Sequence, residues 1–117
     1  MKARFIDFGE IEIDGQRYDY DVVIDEGGIR KRKKKPSKAY REQFGHTPLS
    51  THEEIPWGGK RLIVGTGAYG KLPIMHEVLD EAKQRGIEIV AVLTDEACRL
   101  VSTEEGKKVR ALLHVTC

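Results

Sequence analysis

Apolar and charged positions alternate at the start of the chain and separate into blocks further on. Phe5, Ile6 and Phe8 precede a break at Gly9. Ile11 and Ile13 then alternate with Glu10, Glu12 and Asp14, a period of two that predicts a half-buried strand. Asp14-Gly15 predicts a tight turn, because primed hairpin turns need positive φ. Tyr18, Tyr20 and Val22-Val23-Ile24 are read as the returning strand. Asp25-Glu26-Gly27-Gly28 is a second bend, leading into Ile29-Arg30-Lys31-Arg32-Lys33. Residues 3–35 are therefore expected as a small antiparallel meander integrated into one compact domain, 1–117.

The centre of the chain reads as strand, glycine-rich bend, helix and strand. Arg61-Leu62-Ile63-Val64 is a short apolar run, broken by Gly65-Thr66-Gly67-Ala68-Tyr69-Gly70. Pro73 to Arg85 has a helical period, with Ile74, Val78, Leu79 and Ala82 as its buried stripe and Pro73 suited to the first helical position. Gly86 supplies the stop. Ile87 to Leu93 is nearly continuous β-former and predicts an interior strand parallel to the first. Thr94 is placed to cap a short helix whose first turn holds Asp95 and Glu96, and Val109 to Val115 gives a last strand with Arg110 at its less buried beginning. Between Tyr40 and Trp57 the pattern is irregular. Phe44, Leu49, Ile55 and Trp57 are expected to anchor it across the fold, and the Ser50 and Glu53 spacing predicts one helical turn.

Composition changes this picture little. The chain has 117 residues, enough for one domain with a core; 39% are apolar and 33% charged. No run approaches a membrane span, and the charged, alternating opening residues lead us to expect no secretory segment. Two cysteines, Cys98 and Cys117, make no disulfide framework, so a reducing cytoplasm with free thiols is expected. The net charge of +1 conceals a segregation: eight basic residues and no acidic one lie between Arg30 and Arg41.

Two stretches could carry chemistry. The bend has the letters of a dinucleotide fingerprint, but a helix opening within its glycines would bury Pro73 in the helical interior, at about 3 kcal/mol. The chain is also far shorter than a two-half dinucleotide fold, and no cofactor is expected. Two readings of the bend remain: a tight strand-to-helix connection, or a small-anion or small-ligand site formed by Gly65, Thr66, Gly67, Tyr69, Gly70 and Lys71 with His76 nearby. The basic cluster Arg30, Lys31, Arg32, Lys33, Lys34 and Lys35 reads as a solvated edge, a protein-contact surface or, third, a nucleic-acid contact, although no nucleic-acid motif accompanies it. His46, His52, His76 and His114 form no metal-ligand pattern. His114 lies near Cys117 in sequence, but a base and nucleophile there would need a third, orienting group and an oxyanion site.

Several segments in order carry a resemblance. They are Lys31-Arg32-Lys33-Lys34-Lys35, Phe44-Gly45-His46-Thr47-Pro48-Leu49-Ser50, Ile63-Val64-Gly65-Thr66-Gly67, Gly70-Lys71-Leu72-Pro73, Thr94-Asp95-Glu96-Ala97 and Leu113-His114-Val115-Thr116-Cys117. Through them the chain resembles a small uncharacterised α/β family. Its relatives include an adipogenesis-associated cytosolic protein and an assembly factor for mitochondrial respiratory complex I. The resemblance implies a three-layer α/β fold: a mixed central sheet, helices on one side and a small antiparallel β layer on the other. It implies no catalytic residues. The expected function is a non-enzymatic protein-interaction or assembly-supporting domain with a protein partner, contacting it through the basic cluster or an apolar patch near Phe44 and Trp57. The alternative is a small-anion or small-ligand binding protein, or a modest enzyme, that uses the Gly65–Lys71 bend.

Overall fold

The computed structural model describes residues 1–105 and 108–117. The fold is three-layered α/β around a mixed five-stranded sheet. Strands β1 (Ala3–Asp7), β2 (Glu10–Ile13) and β3 (Gln16–Tyr18) form a separate antiparallel sheet in the order β1-β2-β3. Strands β4 (Val22–Asp25), β5 (Gly28–Lys31), β6 (Arg61–Thr66), β7 (Glu88–Val92) and β8 (Arg110–His114) form the central sheet in the order β5-β4-β8-β6-β7. β6 runs parallel to both β7 and β8, while β4 is antiparallel to β8 and β5.

The expected meander is thus divided between two sheets. Alternation explains the division. In β2 only every second residue is buried, as suits a covering layer, whereas Val22, Val23 and Ile24 are all buried and need packing on both faces. The hairpin at Asp14-Gly15 does form, with φ of 50° and 85°. Asp19, Tyr20 and Asp21 then carry the chain from one sheet to the other.

Two apolar clusters lie on opposite faces of the central sheet. Helix α2 (His76–Gln84) and the segment 49–57 cover Val23, Leu62, Val64 and Leu112. The small sheet covers Val22, Ile24, Ile63, Ala111 and Leu113, with helix α3 (Thr94–Thr103) sharing that face. Each fully buried aliphatic side chain contributes about 1.5–3 kcal/mol. Ser102 fastens α3 to β1, its hydroxyl accepting from Ala3 N and donating to Ala3 O. The β6-α2-β7 and β7-α3-β8 connections run to opposite sides of β6, and right-handed crossovers then put their helices on opposite faces.

Several local expectations change. β7 is an edge strand rather than an interior one, and Leu93 beyond it is 48% exposed. The interior place belongs to β8, whose Arg110 is buried at its start and pairs with Asp25 at 2.8 Å. Helix α2 begins at His76 because Pro73-Ile74-Met75 stays extended: Leu49 N donates to Pro73 O and Met75 N to Leu49 O. Its buried face is Val78 and Ala82, leaving Leu79 exposed. Residues 50–53 form a turn without a helix, and the Glu53 side chain points to Arg32 instead of capping. Between β5 and β6 the chain makes two short elements, a 3-10 helix (Lys35–Tyr40) and α1 (Arg41–Phe44), ended by Gly45 at φ 76°. Cys98 is buried, and burial with Asp95 nearby pushes its thiol up to about 12, which disfavours the reactive thiolate. No described helix is long and apolar enough to cross a membrane.

Candidate functional site

The sheet register brings four side chains to one end of the central sheet. Lys31 pairs with Val22, and Val22 with Leu113. One residue further along each strand lie Arg32, Asp21 and His114, and His114 in turn pairs with Thr66 of β6. This end holds the carboxyl termini of parallel strands β6 and β8, where open α/β sheets commonly take ligands.

Asp21 and Arg32 are buried and tightly held. The Arg32 guanidinium donates to Asp21 Oδ2 at 2.9 Å, to both Glu53 oxygens at 2.7 and 2.8 Å, and to Pro48 O at 3.1 Å. Ser37 Oγ donates to Glu53 and meets Ser50 Oγ at 2.6 Å, which ties the 3-10 helix to the turn at residues 50–53. Asp21 Oδ1 accepts from Val115 N at 2.9 Å, and its Oδ2 lies 2.8 Å from His114 Nδ1. Burial pushes the Asp21 carboxyl up, but the bonds from His114 and Val115 and the Arg32 charge outweigh it and hold Asp21 below the usual carboxylate range. Burial likewise lowers the Arg32 guanidinium, and the Glu53 and Asp21 carboxylates more than restore it. Arg32 therefore belongs to the interior at 4% exposure, which removes it from the expected surface-contact cluster.

In front of this network opens a cleft of about 320 Å³. Arg32, His114, Thr116 and Cys117 line it from the sheet end, and Lys34, Lys38, Arg41, His46 and Thr47 from the connection after β5. The two short helices do the positioning: Lys38 and Arg41 stand three residues apart and so fall on one side of the turn. Among the described residues, no acidic side chain lines the cleft. Among the described residues, Lys34, Lys38 and Arg41 form no ion pair with an acidic side chain. His114 Nε2 lies 3.3 Å from the Thr116 hydroxyl, so Asp21, His114 and Thr116 make a chain in which a buried carboxylate orients an imidazole. A slightly larger hollow, about 380 Å³, is lined by Gly58 to Arg61 and Lys108 to Arg110. Its charged side chains are largely engaged already, Arg61 with Glu104 and Arg110 with Asp25. Lys34, Lys38 and Arg41 bring three charges without an acidic partner among the described residues to the first cleft.

The glycine bend sits beside this cleft, but five of its backbone donors are occupied. Gly67 N donates to Thr94 Oγ1, Ala68 N to Thr116 O, Tyr69 N and Lys71 N to Cys117 O, and Leu72 N to Thr66 O. Thr66 Oγ1 donates to Val92 O. A Cβ on Gly67, whose φ is 107°, would stand 2.2 Å from the Cys117 carbonyl carbon. Gly65 admits Thr94 and Ala97 in the same way. The glycines thus let the chain's own last residues fill the amide cradle. Of the remaining bend candidates, Lys71 is exposed, Tyr69 is 68% exposed against Phe8, and His76 points to solvent beside Asp80. They do not converge on one space.

Arg30 hydrogen-bonds Glu54 O; Lys31 lies over Tyr20 and Lys33 near Glu54, while Lys34 joins the cleft and Lys35 opens the 3-10 helix. Phe44 and Trp57 are half-buried, and Arg85 packs over the Trp57 ring. Sequence reading missed Asp21 and Glu53, and left His114 without its orienting group, because the network draws on residues up to 94 positions apart. Among the described residues no cluster of His, Cys, Asp and Glu could hold a metal ion.

The likenesses agree with this architecture. The solved structure of the conserved hypothetical protein PH1505 from Pyrococcus horikoshii OT3 is 30% identical, with a TM-score of 0.78 over 100% of both chains. A structure named MT938 is 23% identical, with a TM-score of 0.70 over 99% of this chain and 100% of its own. XCC1710 from Xanthomonas campestris shares the fold at 17% identity and a TM-score of 0.61, over 98% of this chain and 86% of its own. No curated protein matches. The family model described as protein of unknown function (DUF498/DUF598) matches residues 4–114, and the chain belongs to that family.

Proposed function

We propose that this protein binds a small anionic ligand in the cationic cleft at the end of β8. The observation that carries this reading is the lining itself: three cations with no acidic side-chain partner among the described residues and two histidines around about 320 Å³, with no acidic side chain among them, in a chain of net charge +1. Positive charge gathered in a cleft focuses its field on an anion far more than the same charge spread over a surface. Relative to the expectation from sequence, the anion site moves from the bend to the neighbouring cleft. The reading includes no catalysis, because the backbone donors nearest His114 are already bonded to Thr116 and Cys117 carbonyls. Calorimetric titration with citrate at low salt tests it. Binding should weaken as salt is added, and by at least about tenfold in a Lys38→Glu/Arg41→Glu variant. No heat of binding at low salt would refute it.

A second reading, a protein-interaction or assembly-supporting domain in the cytoplasm, is favoured by a different surface. The Phe8 and Tyr69 rings meet at 5.9 Å while 49% and 68% exposed, and Leu93 lies by Gly70 beside them at the exposed β7 edge. The resemblance to a respiratory complex I assembly factor supports a partner-binding role, and this patch replaces Phe44 and Trp57 as its apolar anchor. Affinity isolation from native lysate checks it: a partner held by the unmodified protein should be lost with Phe8→Ser/Tyr69→Ser, and equal recovery by both would exclude the patch.

A further inference from the structure

We infer that the anion taken by the cleft carries an aromatic ring, and that this ring lies in a second hollow beside the cleft, against Tyr20 and Lys31. The inference rests on the anion-binding reading and adds the chemical class of the ligand. The cleft does not end at its cationic wall. A smaller hollow of about 220 Å³ adjoins it, and Arg32, Lys34 and Thr116 line both. The shared residues join the two spaces into one groove. It runs from the connection after β5, past the end of the sheet, to the Asp19-Tyr20-Asp21 crossing between the two sheets. The cleft alone is near the lower bound of small-molecule sites, about 300 Å³, and the second hollow adds room for a further group.

The two halves differ in chemistry. Among the described residues the cleft is lined by cations without an acidic side chain, whereas in the second hollow Asp19 and Asp21 offset Lys31 and Arg32. An anionic group is therefore drawn to the first half, and the second takes an uncharged part of the same molecule. What the second half offers is an aromatic surface. Tyr20 is 36% exposed, and its ring is held by its neighbours: Lys31 Nζ lies 5.2 Å from the centroid, and buried Tyr18 meets it edge-on at 5.9 Å. A ring already fixed in place loses little freedom when a further group packs on it. Because Tyr20 and Lys31 both line the hollow, a ligand ring there meets a π-system and an ammonium together. Both contacts favour a flat aromatic group over an aliphatic one of the same bulk. Asp19, exposed beside them, can accept from a hydroxyl or amino substituent on that ring.

The test uses the full chain and two matched pairs of probes, titrated by calorimetry at low salt. Benzyl phosphate is set against cyclohexylmethyl phosphate, and phenylsuccinate against cyclohexylsuccinate. The members of a pair share their anionic group and nearly the same apolar bulk, and differ in the flat π-system. The aromatic member should bind about five- to tenfold more tightly in at least one pair, as expected of one ring pair and one exposed cation–π contact. A preference within the phosphate pair alone assigns a phosphate head group, and within the succinate pair alone a carboxylate one. Tyr20→Ala should bring the ratio to within about twofold of one. Lys31→Met should lower it as well, which keeps the assignment testable if Tyr20→Ala fails to fold. Lys38→Glu/Arg41→Glu should weaken both members of a pair alike and preserve the ratio. Equal affinities within both pairs, a preference that survives Tyr20→Ala unchanged, or binding of citrate with none of the four probes overturns the inference and leaves the anion site standing. Failure of the four probes and of citrate overturns both.

Discussion

Two neighbouring regions at one end of the central sheet carry opposite lessons. The glycine bend after β6 has the appearance of an anion cradle and is full; the cleft beyond β8 has no motif and is open. Both lie within reach of residues 114–117. At the bend, five N–H groups from Gly67 to Leu72 find partners within the chain, and Gly67 is needed because the Cys117 backbone passes where its Cβ would stand. In the cleft, backbone contributes little, and the potential comes from side chains on two short helices held against a buried ion-pair network. Donors form a site only where the fold leaves them unsatisfied.

The contrast can be broken by substitution. The largest effect is expected behind the cleft: Arg32→Ala leaves Asp21 and Glu53 buried without their cation and should cost about 3–5 kcal/mol, read as a lower midpoint in urea unfolding. Next comes the bend. Gly67→Ala meets both a φ of 107° and the Cys117 carbonyl, and should cost about 1–3 kcal/mol from backbone strain alone, with no change in anion specificity in whatever folds. Equal stability of Gly67→Ala and the parent would mean that residues 116–117 do not fill the bend.

A pH series sharpens the same comparison. Asp21 lies below its ordinary value of 3.8 in the fold, so the unfolded chain binds the proton first as pH falls. The stability it supplies is whole above the ordinary carboxylate range and is lost as pH drops through that range and below the folded value. Asp21→Asn should accordingly unfold with a flatter acid limb than the parent, a smaller effect than Arg32→Ala above that range. The smallest changes belong to the outward side of the bend. Tyr69→Ser and Lys71→Ala should shift stability by no more than about 0.5 kcal/mol and leave anion affinity unchanged. A large loss of affinity in Lys71→Ala would return the site to the bend.

The fold was largely legible because its signals are local. Alternation in β2, continuous apolar runs in β6 and β8, and the turn at Asp14-Gly15 name their own elements. Order within the sheet was not: β7, expected inside, lies at the edge. Ile87 to Leu93 and Val109 to Val115 are both mostly apolar, and only the return of the chain across β6 decides which is enclosed. The site was less legible still. Arg32 stands in a run of basic residues with nothing to mark it as interior, and its burial follows from facing Asp21 and Glu53 in the fold. Ser50 and Glu53 have capping-box spacing, yet Glu53 is drawn to the Arg32 guanidinium. Lys38 and Arg41 gain their meaning from short helices that Pro36 and Gly45 bracket without a periodic signal.

The four histidines allow the central claim to be read in one titration. His46 and His114 line the cleft, His76 stands on α2 just beyond the bend, and His52 pairs with Tyr40 away from both. Adding phosphate while recording imidazole resonances by NMR should move the His46 and His114 signals together along a saturating curve, with His52 and His76 unchanged. Movement of His76 with His114 silent, or no movement of any ring, would contradict the account.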